Sequence, residues 1–200
     1  MGTLRVDEIK STTAHEDANA ITLSANSATL TSNVNFPAGH VLQVVQTVKS
    51  DTQSATASGS VNWTDITGFT QSITPSSASN KILINISITY GSSVYAGFFK
   101  ILAITAGGSY SDLDGAIGTA SSNRSRITMG ALGGTADPYE ISTATMMYLD
   151  SPSTTSQRSY KVQFTSRHSG TMTINTGHSA GDADYTGRGI STITCMEIAG

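Results

Sequence analysis

The chain predicts an all-β protein, and three observations carry that reading. Thr, Ile and Val total 55 of 200 residues, and these branched side chains fit a pleated, half-buried surface better than a helix. Glu and Lys contribute only 9 residues, so the chain lacks the side chains that cover exposed helix surfaces. Runs of apolar and polar residues alternating with period two recur between clusters of Gly, Ser, Asn, Asp and Pro. The spacing predicts a jelly-roll-like, two-sheet antiparallel β-sandwich over residues 40–200, preceded by an extended N-terminal arm over residues 1–39.

In the arm, apolar side chains come in small groups: Leu4, Val6 and Ile9, then Ile21 and Leu23, then Leu30, Val34 and Phe36. No group is large enough to cover a second layer, so the segment must lie against a body, a neighbouring copy or another protein. Extended chain rises about 3.3 Å per residue, so the first 13 residues reach about 40 Å, a subunit-to-subunit distance. Phe36, Pro37 and Gly39 form the arm–body junction, with Pro37 fixing φ and Gly39 freeing it.

Within the body the clearest strand is Lys81 to Tyr90. Ile82, Ile84, Ile86, Ile88 and Tyr90 share one face, and Leu83, Asn85, Ser87 and Thr89 the other, which leaves one side dry. Tyr160, Val162 and Phe164 alternate with Lys161, Gln163 and Thr165 in the same way. The Ser-, Thr- and Pro-rich stretch 151–156 before them predicts a hairpin with Ala144 to Asp150. Val41 to Val48, Phe98 to Thr105, Thr171 to Asn175 and Gly189 to Ile198 complete the main set. The first and last mix apolar residues onto both faces, which marks them as central or interface strands. Ile66 to Ile73 and Arg124 to Leu132 are weaker, because Gly68 and Gly130 interrupt or end them.

Leu, Ile, Val and Phe number 9, 17, 9 and 5, at the lower edge of what a foldable chain carries, but a formal charge of −3 imposes little self-repulsion. Eleven basic residues against fourteen acidic, none in long runs, give no electrostatic footprint for phosphate backbones, so nucleic acid is not an expected partner. No apolar stretch is long enough to span a bilayer, and Arg5, Asp7, Glu8 and Lys10 stand where a signal peptide needs an apolar core, so no membrane association is expected. Only 12% of the chain is charged, well below the roughly 25–35% charged surface that keeps a monomer dispersed. Flat surfaces coated with Ser and Thr pack against copies of themselves, and the expected assembly is a homotrimer.

The chemistry-bearing residues are sparse, and neither a catalytic group, a metal site nor a cofactor is expected. Cys195, the single cysteine, stands on a terminal strand and reads as a small buried hydrophobe. His15, His40, His168 and His178 lie in turn-rich segments without ligand spacing. Asp112-Leu113-Asp114-Gly115 and Asp182-Ala183-Asp184 fall short of a calcium loop, since no bidentate Glu follows, and read as turns. Four Glu, at 8, 16, 140 and 197, are a thin inventory for glycoside hydrolysis. Trp63, the sole tryptophan, has two readings: a plug for one end of the sandwich, or an exposed platform for glycan contact.

The opening Met1-Gly2-Thr3-Leu4-Arg5-Val6-Asp7-Glu8-Ile9-Lys10-Ser11-Thr12-Thr13, the later Ile21-Thr22-Leu23 and the junction Phe36-Pro37-Ala38-Gly39-His40-Val41-Leu42-Gln43-Val44-Val45 resemble structural proteins of tailed bacteriophages, particularly those of cyanobacterial and marine hosts. The closing Ile190-Ser191-Thr192-Ile193-Thr194-Cys195-Met196-Glu197-Ile198-Ala199 is similar to the end of such proteins. The resemblance implies a virion protein whose N-terminal element attaches to the particle, with Leu4, Val6, Ile9, Ile21 and Leu23 as the anchoring residues, and whose β-rich body faces outward as a trimer. It names the major capsid protein or another virion protein as partner. Without a long repetitive shaft, a capsid decoration (cement) protein is the first expectation, a short tail fibre binding host surface glycan the second, and a polysaccharide-degrading spike the third.

Overall fold

A computed structural model of the chain describes residues 8–10, 19–24, 27–30, 36–57, 61–93, 96–132, 137–166, 169–179 and 181–200. Two units divide it, Met1–Ala38 and Gly39–Gly200. In the first, β1 (Glu8–Lys10), β2 (Asn19–Ser24) and β3 (Ser27–Leu30) pair antiparallel in the order β1-β2-β3. The ladder sets Ile9 opposite Ile21, Ile21 opposite Leu30, and Leu23 opposite Ala28. The arm is therefore extended only strand by strand, and it doubles back twice over residues 8–30 rather than running out as one line. Leu4 and Val6 lie outside the described residues.

The second unit holds eleven strands: β4 (Val41–Lys49), β5 (Gln53–Ala57), β6 (Thr64–Ile73), β7 (Lys81–Ser92), β8 (Ala96–Thr105), β9 (Ser111–Asp112), β10 (Met129–Leu132), β11 (Ser142–Asp150), β12 (Arg158–Ser166), β13 (Gly170–Ile174) and β14 (Ser191–Ile198). The larger sheet runs β4-β14-β7-β13-β5 with β11 on β7, and the smaller runs β10-β8-β12-β6 with β9 on β8. β14 and β13 lie end to end along one edge of β7 while β11 takes the other. β4 and β5 continue one line beyond them, and β9 and β10 share one edge of β8. Merging these three pairs leaves eight positions, ordered 1-8-3-6 in one sheet and 2-7-4-5 in the other. That is the strand order of a jelly roll, in which successive strands alternate between two packed sheets except where positions 4 and 5 pair within one. The sequence-predicted all-β sandwich is what forms, with a single 3-10 turn at Asp114–Ala116 and no α-helix among the described residues.

The core follows from the alternation. Ile82, Ile84, Ile86 and Ile88 of β7 are wholly buried, as are Tyr160, Val162 and Phe164 of β12, so each predicted apolar face is the inner one. Phe69 and Phe99 fill the space between, and Tyr90 meets Phe99 edge to face at 5.6 Å. Ile66 and Phe69 of β6 are both inside although three residues apart, a step that would put them on opposite faces of a regular strand. Gly68 at φ 69° absorbs the extra residue as a bulge, and the β12–β6 register shifts between Lys161 and Gln163.

Two expectations are corrected. β11 and β12 do not form a hairpin: β11 pairs with β7 in one sheet and β12 with β8 and β6 in the other. Turn composition marks where the chain reverses, not which sheet it enters. The crossing is tied by Asp150, whose carboxylate accepts from Tyr160 Oη at 2.7 Å and Arg158 Nε at 3.2 Å. Burial, with that acid beside it, pushes the Tyr160 phenol far above its usual range. β14 is an interior strand as expected, but β4 is an edge, with Val41, Val44 and Val48 exposed. The polar strand β5, Gln-Ser-Ala-Thr-Ala, escaped the sequence reading because it has no apolar face to show.

The edge between sheets at β4/β5 and β6 is closed by side chains instead of a ladder. Gln43 donates to the Thr74 carbonyl, Thr47 to Thr70, Lys49 to Thr67 and Gln53 to Asp65, all at 2.8–3.0 Å. Gln53 Oε1 accepts from the Thr67 N–H. Three carbonyls of the edge strand β6 and that of Thr74 just beyond it are thus satisfied without a further strand.

Where β4 gives way to β5 and β13 to β14, a buried amide fills the break. Asn175 Nδ2 donates to the carbonyls of Lys49 and Asp51, both at 2.9 Å, and Asn175 Oδ1 accepts from Ser191 Oγ at 2.7 Å. Its backbone sits at φ 62°, a left-handed conformation that Asn tolerates better than other non-glycine residues. Asn175→Ala strands these carbonyls and strains the backbone, and should lower the unfolding free energy by about 3–5 kcal/mol in urea titrations. Asn175→Gly, relieved of the strain alone, should recover about 1–2 kcal/mol of that loss.

Candidate functional site

The outer face of the larger sheet is the most distinctive surface of the body. Its registers form three cross-strand rows: Val44–Met196–Leu83–Leu149, Gln46–Thr194–Asn85–Met147 and Val48–Thr192–Ser87–Thr145. No charged residue occurs in any of them. Met147 is 68% exposed, Val44 56%, Val48 51% and Leu149 43%. Across the rows Gln46 Nε2 donates to Thr194 Oγ1 at 2.8 Å. Neighbouring hydroxyls and thioethers make this a flat, uncharged surface on which no group is set up for chemistry.

The smaller sheet presents the opposite character. Lys100 of β8 points away from the buried Phe99 and Ile101, lies 4.5 Å from the Trp63 ring centroid and pairs with Asp112 at 2.7 Å. Lys161 of β12, diagonal to it, lies 4.3 Å from the Tyr110 ring and pairs with Asp65 at 2.7 Å, and Gln163 Nε2 donates to the same Asp65 at 2.8 Å. Partial burial alone would raise the Asp65 carboxyl, but the hydrogen bonds from Lys161 and Gln163 outweigh it and hold the group below its ordinary value. Trp63 is half-buried on this outer side and takes no part in the core cluster. It does not plug the sandwich, because Tyr160, Phe69, Phe99 and Phe164 already fill the interior. Two flat rings flanking two lysine–aspartate pairs make a platform of aromatic faces, donors and acceptors. Of this group the sequence singled out Trp63 and, as part of an incomplete calcium loop, Asp112; Tyr110 and the placing of Lys100 beside Lys161 depend on strand register.

The expected arm–body junction falls at the start of the described body. Phe36 and Pro37 are exposed, and Gly39 at φ 91° donates its N–H to the Ala199 carbonyl at 2.8 Å. Ala199 returns a bond to His40, so the start of the body pairs with its last residues. Ile9 and the pair Ile21 and Leu23 fall in β1 and β2 of the first unit.

The remaining candidates are structural in their surroundings. Cys195 is buried, and desolvation pushes its thiol up to about 12, the opposite of an activated nucleophile. Asp112 pairs with Lys100, and Asp114 with Arg126 at 3.0 Å. Thr186 Oγ1 bonds the carbonyls of Gly181 and Ala183, holding the Asp182–Asp184 segment as a turn. Among the described residues no three His, Cys, Asp or Glu converge, and no helix is long and apolar enough to cross a membrane. His15 and His168 lie outside the described residues; His40 is exposed and His178 half-buried.

Glu197 was not foreseen as more than a thin acid. It is buried, with Oε1 accepting from the Ser76 N–H at 2.6 Å, Ser76 Oγ at 2.8 Å and Asn80 Nδ2 at 2.6 Å, and Oε2 from Gln43 Nε2 at 2.6 Å. These four donors fasten the 74–80 loop to β14 and β4. Their alternation on the terminal strand, Ile193-Thr-Cys-Met-Glu197, was the available signal that Glu197 faces inward with Ile193 and Cys195.

No family model and no curated protein matches the chain. Solved structures that it is similar to include infectious bursal disease virus of the Gx strain (14% identity, TM-score 0.40, covering 90% of this chain and 46% of that one). Others are the Gt strain of the same virus (12% identity, TM-score 0.42, 96% and 47%) and its VP2 subviral particle (12% identity, TM-score 0.41, 90% and 42%). The chain spans about half the length of these chains or less. Function is therefore argued from this chain's own residues.

The Glu197 site has a pH consequence. Burial works to raise its carboxyl, but the bonds from Asn80, Gln43 and Ser76 outweigh it and hold the group below the ordinary value. The unfolded chain then takes up the proton more readily than the folded one, so this stabilisation is complete above about pH 4.3 and is lost as the pH falls through the folded value. Glu197→Gln should cost about 1.5–3 kcal/mol at neutral pH and flatten the acid limb of a Tm-against-pH curve measured by calorimetry.

Proposed function

We propose that the chain is a non-enzymatic structural protein of a virion, a homotrimeric decoration (cement) protein of a tailed bacteriophage that sits on the particle surface and is anchored to the major capsid protein by residues 1–39. The jelly roll by itself does not decide this, since one fold hosts many functions. The observation that carries the reading is the first unit: a single three-stranded layer whose ladder lines up Ile9, Ile21 and Leu30. Short strands in one layer enclose no interior of their own and need a surface to lie on. The resemblance of both chain ends to phage structural proteins supplies the kind of surface.

Replacing Leu4, Val6 and Ile9 together with Ser should leave the body folded and abolish binding to particles that lack the protein, measured by co-sedimentation. Binding undiminished by that change would overturn the anchor. A cement present at 100 times its dissociation constant adds about 2.7 kcal/mol per site, so particles stripped of it should open at lower temperature.

The platform around Trp63 and Tyr110 favours a second reading, an adhesin that holds a neutral host-surface glycan by stacking on the rings and bonding to Asp65 and Asp112. On that reading Trp63→Ala weakens glycan binding about tenfold without loss of fold, as measured by titration calorimetry against host polysaccharide fragments.

A further inference from the structure

The two outer faces of one sandwich differ in a way that ordinary solvation does not require. The smaller sheet carries Lys100, Lys161, Asp65 and Asp112 on its outside, whereas the three central rows of the larger sheet carry no ionisable side chain across four strand positions. Both faces belong to one chain with the same Ser- and Thr-rich composition, so the difference is one of placement. The uncharged face also collects Val44, Val48, Met147 and Leu149, four of the exposed large apolar side chains of the molecule.

We propose that this face is buried two-fold against the same face of another copy, a contact that pairs trimers and is separate from the three-fold one that builds them; the inference rests on the reading of the protein as a self-assembling homotrimeric component and names the surface by which its trimers associate. Charge selects the occupant. A foreign surface of ordinary composition would bring ionised side chains against a face that offers them no counter-charge, and each would lose its hydration uncompensated. The same face of a second copy brings none. Its alternating hydroxyl, thioether and branched side chains present the relief by which two sheets interdigitate at about 10 Å separation.

Area is consistent with a specific contact. Four strands about 4.8 Å apart and some seven residues long cover roughly 20 Å by 24 Å, on the order of 500 Å². Two such faces bury about 1,000 Å² in total, the lower threshold for a specific interface. Each copy keeps its charged sheet, with the Trp63 and Tyr110 platform, turned away from the contact.

The full chain at roughly 100 µM, a concentration that saturates a micromolar contact by mass action, should run above the mass of one trimer by light scattering coupled to size-exclusion chromatography. Met147→Lys, on β11, should weaken self-association at least about tenfold. Val44→Lys on β4 tests the opposite edge of the same face and serves if the first variant fails to fold. Thr70→Lys, on the exposed side of β6, is the control and should leave the mass unchanged. Circular dichroism establishes that each variant keeps its sheet content. A wild-type mass that stops at one trimer or below at that concentration, or folded lysine variants that associate as before, would overturn the proposal. Particle binding separates the two readings: a Met147→Lys chain that no longer pairs but still co-sediments with stripped particles upholds both the face and the anchor. Intact association combined with failure to bind any particle removes the virion role and leaves the face standing.

Discussion

The larger sheet depends on one buried amide. Its strands do not run unbroken: β4 yields to β5 and β13 to β14 at the same level, beside the continuous strand β7. A break of that kind leaves backbone carbonyls facing an interior without water, where an unpaired polar group costs on the order of 1–3 kcal/mol. Asn175 answers two of them with its two amide hydrogens and is itself answered by Ser191. Ser191 Oγ in turn accepts from the Thr89 N–H, and the Asn175 N–H donates to the Thr89 carbonyl at 2.8 Å. Only an Asn supplies both the two donors and a tolerance of positive φ; Gly has the conformation without the bonds, and Asp would set oxygen against oxygen.

Similar ties recur wherever the sandwich changes sheet. Asp150 joins β11 to β12 through Tyr160 and Arg158, and Glu197 joins the 74–80 loop to the terminal strand. Asp150 accepts two hydrogen bonds and Glu197 four, and such bonding is the condition under which an ionised group is tolerated inside. A chain with Leu, Ile, Val and Phe at one residue in five has little apolar area to spare, and these bonded polar groups fix strand order where packing alone would leave it loosely specified. The side-chain bonds from Gln43, Thr47, Lys49 and Gln53 to β6 do the same for the open edge.

Function lies in the contrast between surfaces. A charged outer sheet with aromatic rings suits water and small polar ligands, and an uncharged outer sheet suits contact with protein. On the proposed reading the first unit, a single β layer, would hold a scaffold, the uncharged face a neighbour, and the charged face would stay in solvent.

The all-β class and the inner faces of β7 and β12 were legible in the sequence because a strand's side-chain period is two whatever it pairs with, so Ile82 to Tyr90 declared a dry side without any knowledge of neighbours. Gly68 and Phe36-Pro37-Ala38-Gly39 were legible for a local reason as well, since φ preferences belong to single residues. Strand partners were not: the same turn that could close a hairpin at 151–157 instead carries the chain to the other sheet, and only the packing of the two layers decides between them. The outer faces stayed hidden for the same cause. Val44, Met196, Leu83 and Leu149 are scattered over more than a hundred residues and Trp63, Lys100, Tyr110 and Lys161 over nearly a hundred, and register alone, a long-range property, sets each group side by side.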